Sequence, residues 1–145
     1  MALTEEYRQS AVARLHVGDC SCVIGNGGAL TVCHERGVKD LYRLLKESPD
    51  VLSGAFVADK VVGKGAAALM VLGGVAEVYT DVISRPALEL FGKEGVRVAY
   101  GECVPNIINR SGDGICPVET LCEPCGSAAE CLPLIDNFIA INKPK

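Results

Sequence analysis

The chain has 145 residues, 49% of them apolar and 22% charged; this suffices for one hydrophobic core, is short for two, and excludes a disordered or low-complexity polypeptide. The formal net charge of -4 argues against a partner that needs a broad basic footprint, so no nucleic-acid polymer is expected. The most apolar stretch, 65–78, is broken by Gly73, Gly74 and Glu77 and is shorter than the roughly 20 residues that cross a bilayer, so no membrane partner is expected either.

The opening residues, MALTEEYRQSAVARL, are charged early and lack an apolar segment followed by a cleavage site. No secretory signal is read there, and a cytoplasmic location is expected. In that setting the eight cysteines read as reduced thiols.

Helical spacing of Tyr7, Ala11, Val12 and Leu15 predicts a first helix over 4–15, with Thr4 as N-cap and Gly18 beyond its end. Two strand-like runs, 20–24 and 29–33, flank Gly25-Asn26-Gly27-Gly28 and predict a β-hairpin, because these residues accept positive φ. Val38, Leu41, Tyr42, Leu44 and Leu45 mark a second helix that stops before Ser48-Pro49. The apolar run 54–58 predicts a central strand with Asp59 at its carboxyl end, and 62–73, apolar all round, predicts an enclosed helix. A strand over 75–83, a helix over 85–92 with Pro86 in its first turn, and a strand over 96–100 follow. The last helix, 127–139, opens with Ser127 and Glu130 at capping-box spacing.

Alternating strands and helices after the hairpin imply parallel pairing with right-handed crossovers, while the hairpin itself is antiparallel. The expected architecture is one domain over 1–145, an α/β three-layer α-β-α sandwich around a mixed sheet. Ligands of such sheets sit beyond the carboxyl ends of the parallel strands, which places 59–64 and 84–86 at one rim.

The stretches ERGVKDL, VADKVVGKGAAALMVLGGV, ISRPALELF and NRSGDGICPVE, in this order of elements, resemble a family of small bacterial and archaeal proteins of unknown function with a cytidine-deaminase-like fold. The resemblance spans about 15–119. Cytidine deaminases carry His or Cys, one residue, then Glu where the helix after the central strand begins, and P-C-x-x-C at the next helix; the metal activates water and the glutamate moves its proton. This chain has Val62-Gly63-Lys64 at the first place and Arg85-Pro86-Ala87-Leu88-Glu89-Leu90 at the second. Valine and alanine coordinate no cation, and lysine is no general base at its ordinary pKa. The resemblance therefore implies the fold without the zinc site, and no cofactor is expected.

Lys60, Lys64 and Arg85 at the helix starts, with Asp59 beside them, form an expected cationic rim that suits a phosphate or carboxylate. The analogous fold implies a nucleotide-like ligand, and a homo-oligomer is left open. Solvated lysines with a capping Asp59 are the alternative reading. The glycine-rich stretch Asn109-Arg110-Ser111-Gly112-Asp113-Gly114-Ile115-Cys116 adds Asn109, Arg110, Asp113, Gly114 and Cys116 to the candidate ligand site, since Arg110 can grip an anion with two donors. Lys64 or Cys116 as the reactive group of an enzyme is a further alternative; for Cys116 a tucked-in apolar role weighs against it. Glu35-Arg36 reads as a helix-start charge pair. In the tail, Cys116, Cys122, Cys125 and Cys131 offer a third reading, a metal or redox site, against plain structural thiols.

Overall fold

The computed structural model describes residues 4–17, 19–34, 38–108, 112 and 114–141. The first helix, α1 (Glu5–His16), is capped by Thr4, whose hydroxyl accepts the Tyr7 N–H at 3.1 Å, and carries Glu5 and Glu6 in its first turn, where the helix dipole favours acids. Strands β1 (Cys22–Asn26) and β2 (Ala29–Cys33) form the expected hairpin. Its two-residue loop has φ of 62° at Gly27 and 85° at Gly28, the left-handed pair that matches strand twist. Asn26 anchors that hairpin end by donating to the carbonyls of Asp50, Val51 and Ser53.

Helix α2 (Lys39–Glu47) is followed by a single 3-10 turn, Pro49–Val51. Then come β3 (Phe56–Val62), α3 (Lys64–Gly73), β4 (Glu77–Ser84), α4 (Arg85–Glu94), β5 (Arg97–Val104), α5 (Pro117–Cys122) and α6 (Ala128–Ile141). The sheet order is β2-β1-β3-β4-β5, with β1 antiparallel to both neighbours and β3, β4 and β5 parallel. This is the mixed α/β sheet expected from the sequence. No helix among the described residues is long and apolar enough to cross a membrane.

Alternation along the strands divides the core. Val23, Phe56 and Ala58 face α1 with Ala11, Leu15 and Cys20, whereas Cys22, Ile24 and Val57 face the opposite layer, where α3 packs against α2, α4, α5 and α6. Two side-chain contacts fix α1 to β4: Arg8 donates twice to Glu77, at 2.8 and 2.9 Å, and His16 Nε2 lies 2.8 Å from Asp81. Helix α3 is enclosed as its composition requires, with Ala66, Ala67, Ala68, Leu69 and Met70 all buried.

Several boundaries depart from the sequence reading, among them β1, which covers Cys22–Asn26 rather than 20–24 and leaves only Gly27-Gly28 as the connection. Strand β3 continues to Val62, so Asp59 lies inside it, and α3 begins only at Lys64. Strand β5 runs to Val104, past Tyr100. Helix α5, absent from the sequence reading, packs its Val118 against the start of α3. A Cβ at Gly65 would stand 2.3 Å from Val118 Cγ1, so the glycine is what allows the two helices to meet. Gly65→Ala should therefore destabilise the fold by about 1–3 kcal/mol through overpacking, read by urea unfolding. Val118→Ala should absorb most of that loss in the double variant; a Gly65→Ala protein as stable as the parent would contradict the close approach.

Candidate functional site

Helices α3 and α4 both start at the carboxyl ends of neighbouring parallel strands, so their free N–H groups face one rim. Neither has an acid in its first turn, and Gly63 before α3 has no side chain to cap it. The missing acceptor comes from α5. Glu119, 1% exposed, accepts the Lys64 N–H at 2.7 Å and the Ser84 hydroxyl at 2.9 Å on Oε1, and the Ile107 N–H at 2.5 Å on Oε2. Ser84 Oγ in turn accepts the Ala87 N–H at 3.2 Å. One carboxylate thus caps α3 directly and α4 through a serine. A Cβ at Gly63 would stand 3.2 Å from Glu119 Oε1 and 3.1 Å from Ile107 Cγ1, so the Gly63-Lys64-Gly65 sequence clears space for this segment.

Lys64 has two functions. Its N–H serves Glu119, while its ammonium donates, in part-buried contacts, to the carbonyls of Glu123 at 2.9 Å and Cys125 at 2.6 Å. Lys93 from α4 donates to the carbonyl of Gly126 in the same loop. Between α4 and this loop lies a groove of about 360 Å³ lined by Lys64, Pro86, Glu89, Leu90, Lys93, Glu123, Cys125 and Gly126. Among the described residues, no ion pair includes either lysine.

The expected rim is only partly assembled. Lys64 reaches the groove, but Arg85 is an exposed residue at the start of α4 and does not line it, and Lys60 is half-buried within β3. Asp59 is no rim residue either: it is buried in β3 opposite Cys22 of β1, with the Val61 N–H donating to it at 3.3 Å. Burial pushes its carboxyl up to about 7. Asn109, Arg110 and Asp113, like Glu35 and Arg36, lie outside the described residues. Gly114 adjoins Ile115, which bridges to Ile108, and the half-buried Cys116 precedes α5 with its N–H bonded to the Ile107 carbonyl at 2.8 Å; neither lines the groove. Glu119 and Lys93 escaped the sequence reading. The available signal was Gly63 before α3, which offers no side chain to cap that helix start, so an acceptor had to come from elsewhere.

Three tail thiols do come together. The Cys131 thiol donates to the Ser127 carbonyl at 3.5 Å, its interaction with Cys122 lowers the Cys122 pKa and raises its own, and burial raises Cys125 to about 11. Cys116 stands at the other end of α5 from Cys122. Among the described residues no three His, Cys, Asp or Glu side chains are placed to hold a metal ion.

Replacing Glu119 by Leu strands three donors, each worth about 1–3 kcal/mol when buried without an acceptor. We expect Glu119→Leu to lower stability by several kcal/mol and Glu119→Gln by less, in denaturant unfolding; near-parental stability for Glu119→Leu would refute the capping role. Asp59 makes a second prediction. Its folded pKa lies above the unfolded value, so the native state holds the extra proton between about pH 4 and 7, and stability from this group falls across that window by about 1.4 kcal/mol per unit. Asp59→Asn should flatten the slope there relative to the parent, and an unchanged slope would show that Asp59 ionises freely.

The full chain's sequence matches the model of a family described as a domain of unknown function, DUF1893, over residues 10–139. A comparison with curated proteins returned no match. Among solved structures, a DUF1893 family protein (TM1506) from Thermotoga maritima is similar with a TM-score of 0.86 and 26% identity, over 94% of this chain and 92% of that one. A dCMP deaminase from the cyanophage S-TIM5, in complex with dCMP and dUMP, is more distant at a TM-score of 0.47 and 15% identity, over 68% and 99% of the two chains. A diaminohydroxyphosphoribosylaminopyrimidine deaminase/5-amino-6-(5-phosphoribosylamino)uracil reductase from Thermotoga maritima gives 0.41 and 16%, over 66% and 33%. With 10–139 of its 145 residues matched and its fold shared with TM1506 along nearly the whole length, the chain belongs to the DUF1893 family.

Proposed function

We propose that the chain binds a small anionic, nucleotide-like molecule in the groove between α4 and the loop 123–126, without zinc. The observation that supports this reading is the ammonium of Lys64. It belongs to a buried residue and borders the groove, yet its acceptors are two neutral carbonyls and no carboxylate pairs with it among the described residues. A buried cation gains most from an anion, because charge-assisted hydrogen bonds are about twice as strong as those to neutral acceptors. Lys93 stands on the same groove with only a carbonyl partner, so two ammoniums are available to one ligand.

The walls also favour a ligand that is more than a bare anion. Glu89 and Glu123 border the groove and would accept from hydroxyl or amino groups, while Pro86 and Leu90 offer apolar surface. A phosphate attached to a sugar or base satisfies all three. The volume of about 360 Å³ lies at the small end of ligand sites. The zinc-independent part of the reading is supported by the chemistry of the helix starts: Val62 and Ala87 are apolar and fully buried, and the Glu119 oxygens already accept three donors.

Calorimetric titration with inorganic phosphate and a series of nucleoside monophosphates tests this. A nucleotide should bind more tightly than phosphate, and Lys64→Met and the milder surface change Lys93→Ala should each weaken it by about tenfold or more, as expected for loss of one charge-assisted bond. Absence of heat and of thermal stabilisation at millimolar ligand, or binding untouched by Lys93→Ala and Lys64→Met alike, would overturn the assignment.

A further inference from the structure

A second cluster of reactive groups lies on the sheet, away from the groove. The register places Cys33 of β2 directly opposite Cys22 of β1, and Cys22 directly opposite Asp59 of β3, so one row across three strands reads Cys33, Cys22, Asp59. Directly opposed residues of antiparallel strands have Cα atoms about 4.5–5.5 Å apart, inside the span a disulfide bridges. Cys22 and Cys33 perturb one another's protonation, and Cys22 also perturbs that of Asp59. All three side chains are buried, with Cys22 at 4%, Cys33 at 3% and Asp59 at 7% exposure.

We propose that Cys22 and Cys33 are a hydroperoxide-reactive dithiol that closes to a cross-strand disulfide, with Asp59 accepting the proton that Cys22 gives up. In the first step the Cys33 thiolate attacks the peroxide, the O–O bond breaks, and Cys33 becomes a sulfenic acid as an alcohol, or water from hydrogen peroxide, leaves. In the second, Cys22 passes its proton to Asp59 and its sulfur attacks the Cys33 sulfur, expelling hydroxide, which takes up a proton and departs as water. Two thiols and one hydroperoxide thus yield one disulfide, one alcohol and one water; the sulfurs lose the two electrons that the peroxide gains.

The roles follow from the surroundings of each group. Cys33 has its pKa lowered, first by the hydrogen bond from Cys22, with burial and Asp40 opposing and Arg43 assisting; Cys22 is raised, first by that same bond and then by burial. Thiolate character therefore belongs to Cys33, and Cys22 needs a base before it can resolve the sulfenic acid. Asp59 supplies one: a buried carboxyl raised to about 7 is a far better proton acceptor than an ordinary surface carboxylate. Burial also selects the oxidant. Cys33 lies on β2, an edge strand of the sheet, and at 3% exposure it favours a molecule as small as hydrogen peroxide over a peptide disulfide.

Treating the full native chain with hydrogen peroxide, blocking remaining thiols and mapping peptides by mass spectrometry tests this. The expected product lacks two hydrogens and joins the Cys22 and Cys33 peptides. Cys22→Ser should halt at a Cys33 sulfenic acid, trapped by a carbon nucleophile, and Cys33→Ser should leave Cys22 reduced. Asp59→Asn should slow closure by about tenfold or more while the trapped sulfenic acid accumulates, the loss expected without a general base; a merely structural Asp59 would slow both steps or neither. Oxidation confined to Cys122, Cys125 and Cys131, or a Cys22–Cys33 bridge that forms only after denaturation, would overturn the proposal.

Discussion

The carboxylate of Glu119 is the contact on which this arrangement depends. Helix α3 begins with no side-chain cap of its own, beside α4, whose cap is Ser84, and a buried helix start without acceptors is unstable. Glu119 comes from 55 residues beyond Lys64 in sequence, so the cap cannot form until the tail has docked. Its three donors belong to α3, to the end of β4 and to the segment after β5. Removing the charge would therefore loosen three elements together, and the burial of Val118 against Gly65 is the apolar half of the same junction.

Local rules made much of the fold legible. Thr4, the hairpin glycines and the apolar composition of α3 each obey a constraint that spans a few residues, and each element formed, although the connection shrank to Gly27-Gly28 and α3 starts at Lys64 rather than 62. The Ser127 cap also formed, with the Glu130 N–H donating to its hydroxyl, although the Glu130 carboxylate serves the Gly126 N–H. The losses arose where long-range packing decides. The apolar run ends at Ala58 and so points to Lys60 as a helix-start residue, yet pairing with β4 carries β3 on to Val62. Arg85 was grouped with Lys64 because both open helices, but only Lys64 turns into the protein. Helix α5 has six residues, too few for a periodic signal, and its importance comes wholly from what it touches.

The same distinction separates the two thiol groups. Cys22 and Cys33 are held by strand register, which fixes the opposed positions whatever the tail does. Cys122, Cys125 and Cys131 are held by the turn between α5 and α6, whose Cys125 N–H bonds to the Cys122 carbonyl, and their closeness depends on the docking that Glu119 secures. The spacing of cysteines along the tail was visible in sequence, whereas the pairing across the hairpin required the register. Chemistry also differs: the sheet pair has a buried carboxyl beside it, and the tail thiols have the Lys64 ammonium, which favours a thiolate at Cys122.

Lys64 finally joins the groove to the helix junction through two different atoms. Its backbone is fixed through Glu119, and its side chain holds the loop 123–126 through two carbonyls. An anion that takes over the ammonium competes with those carbonyls and leaves the Glu119 contacts untouched, because they use a different atom of the same residue. Lys93 would release Gly126 by the same exchange. The side-chain contacts that tie loop 123–126 to the groove are thus separate from those that join α5 to the helix starts, so exchanging the first would leave the junction that keeps the fold closed in place.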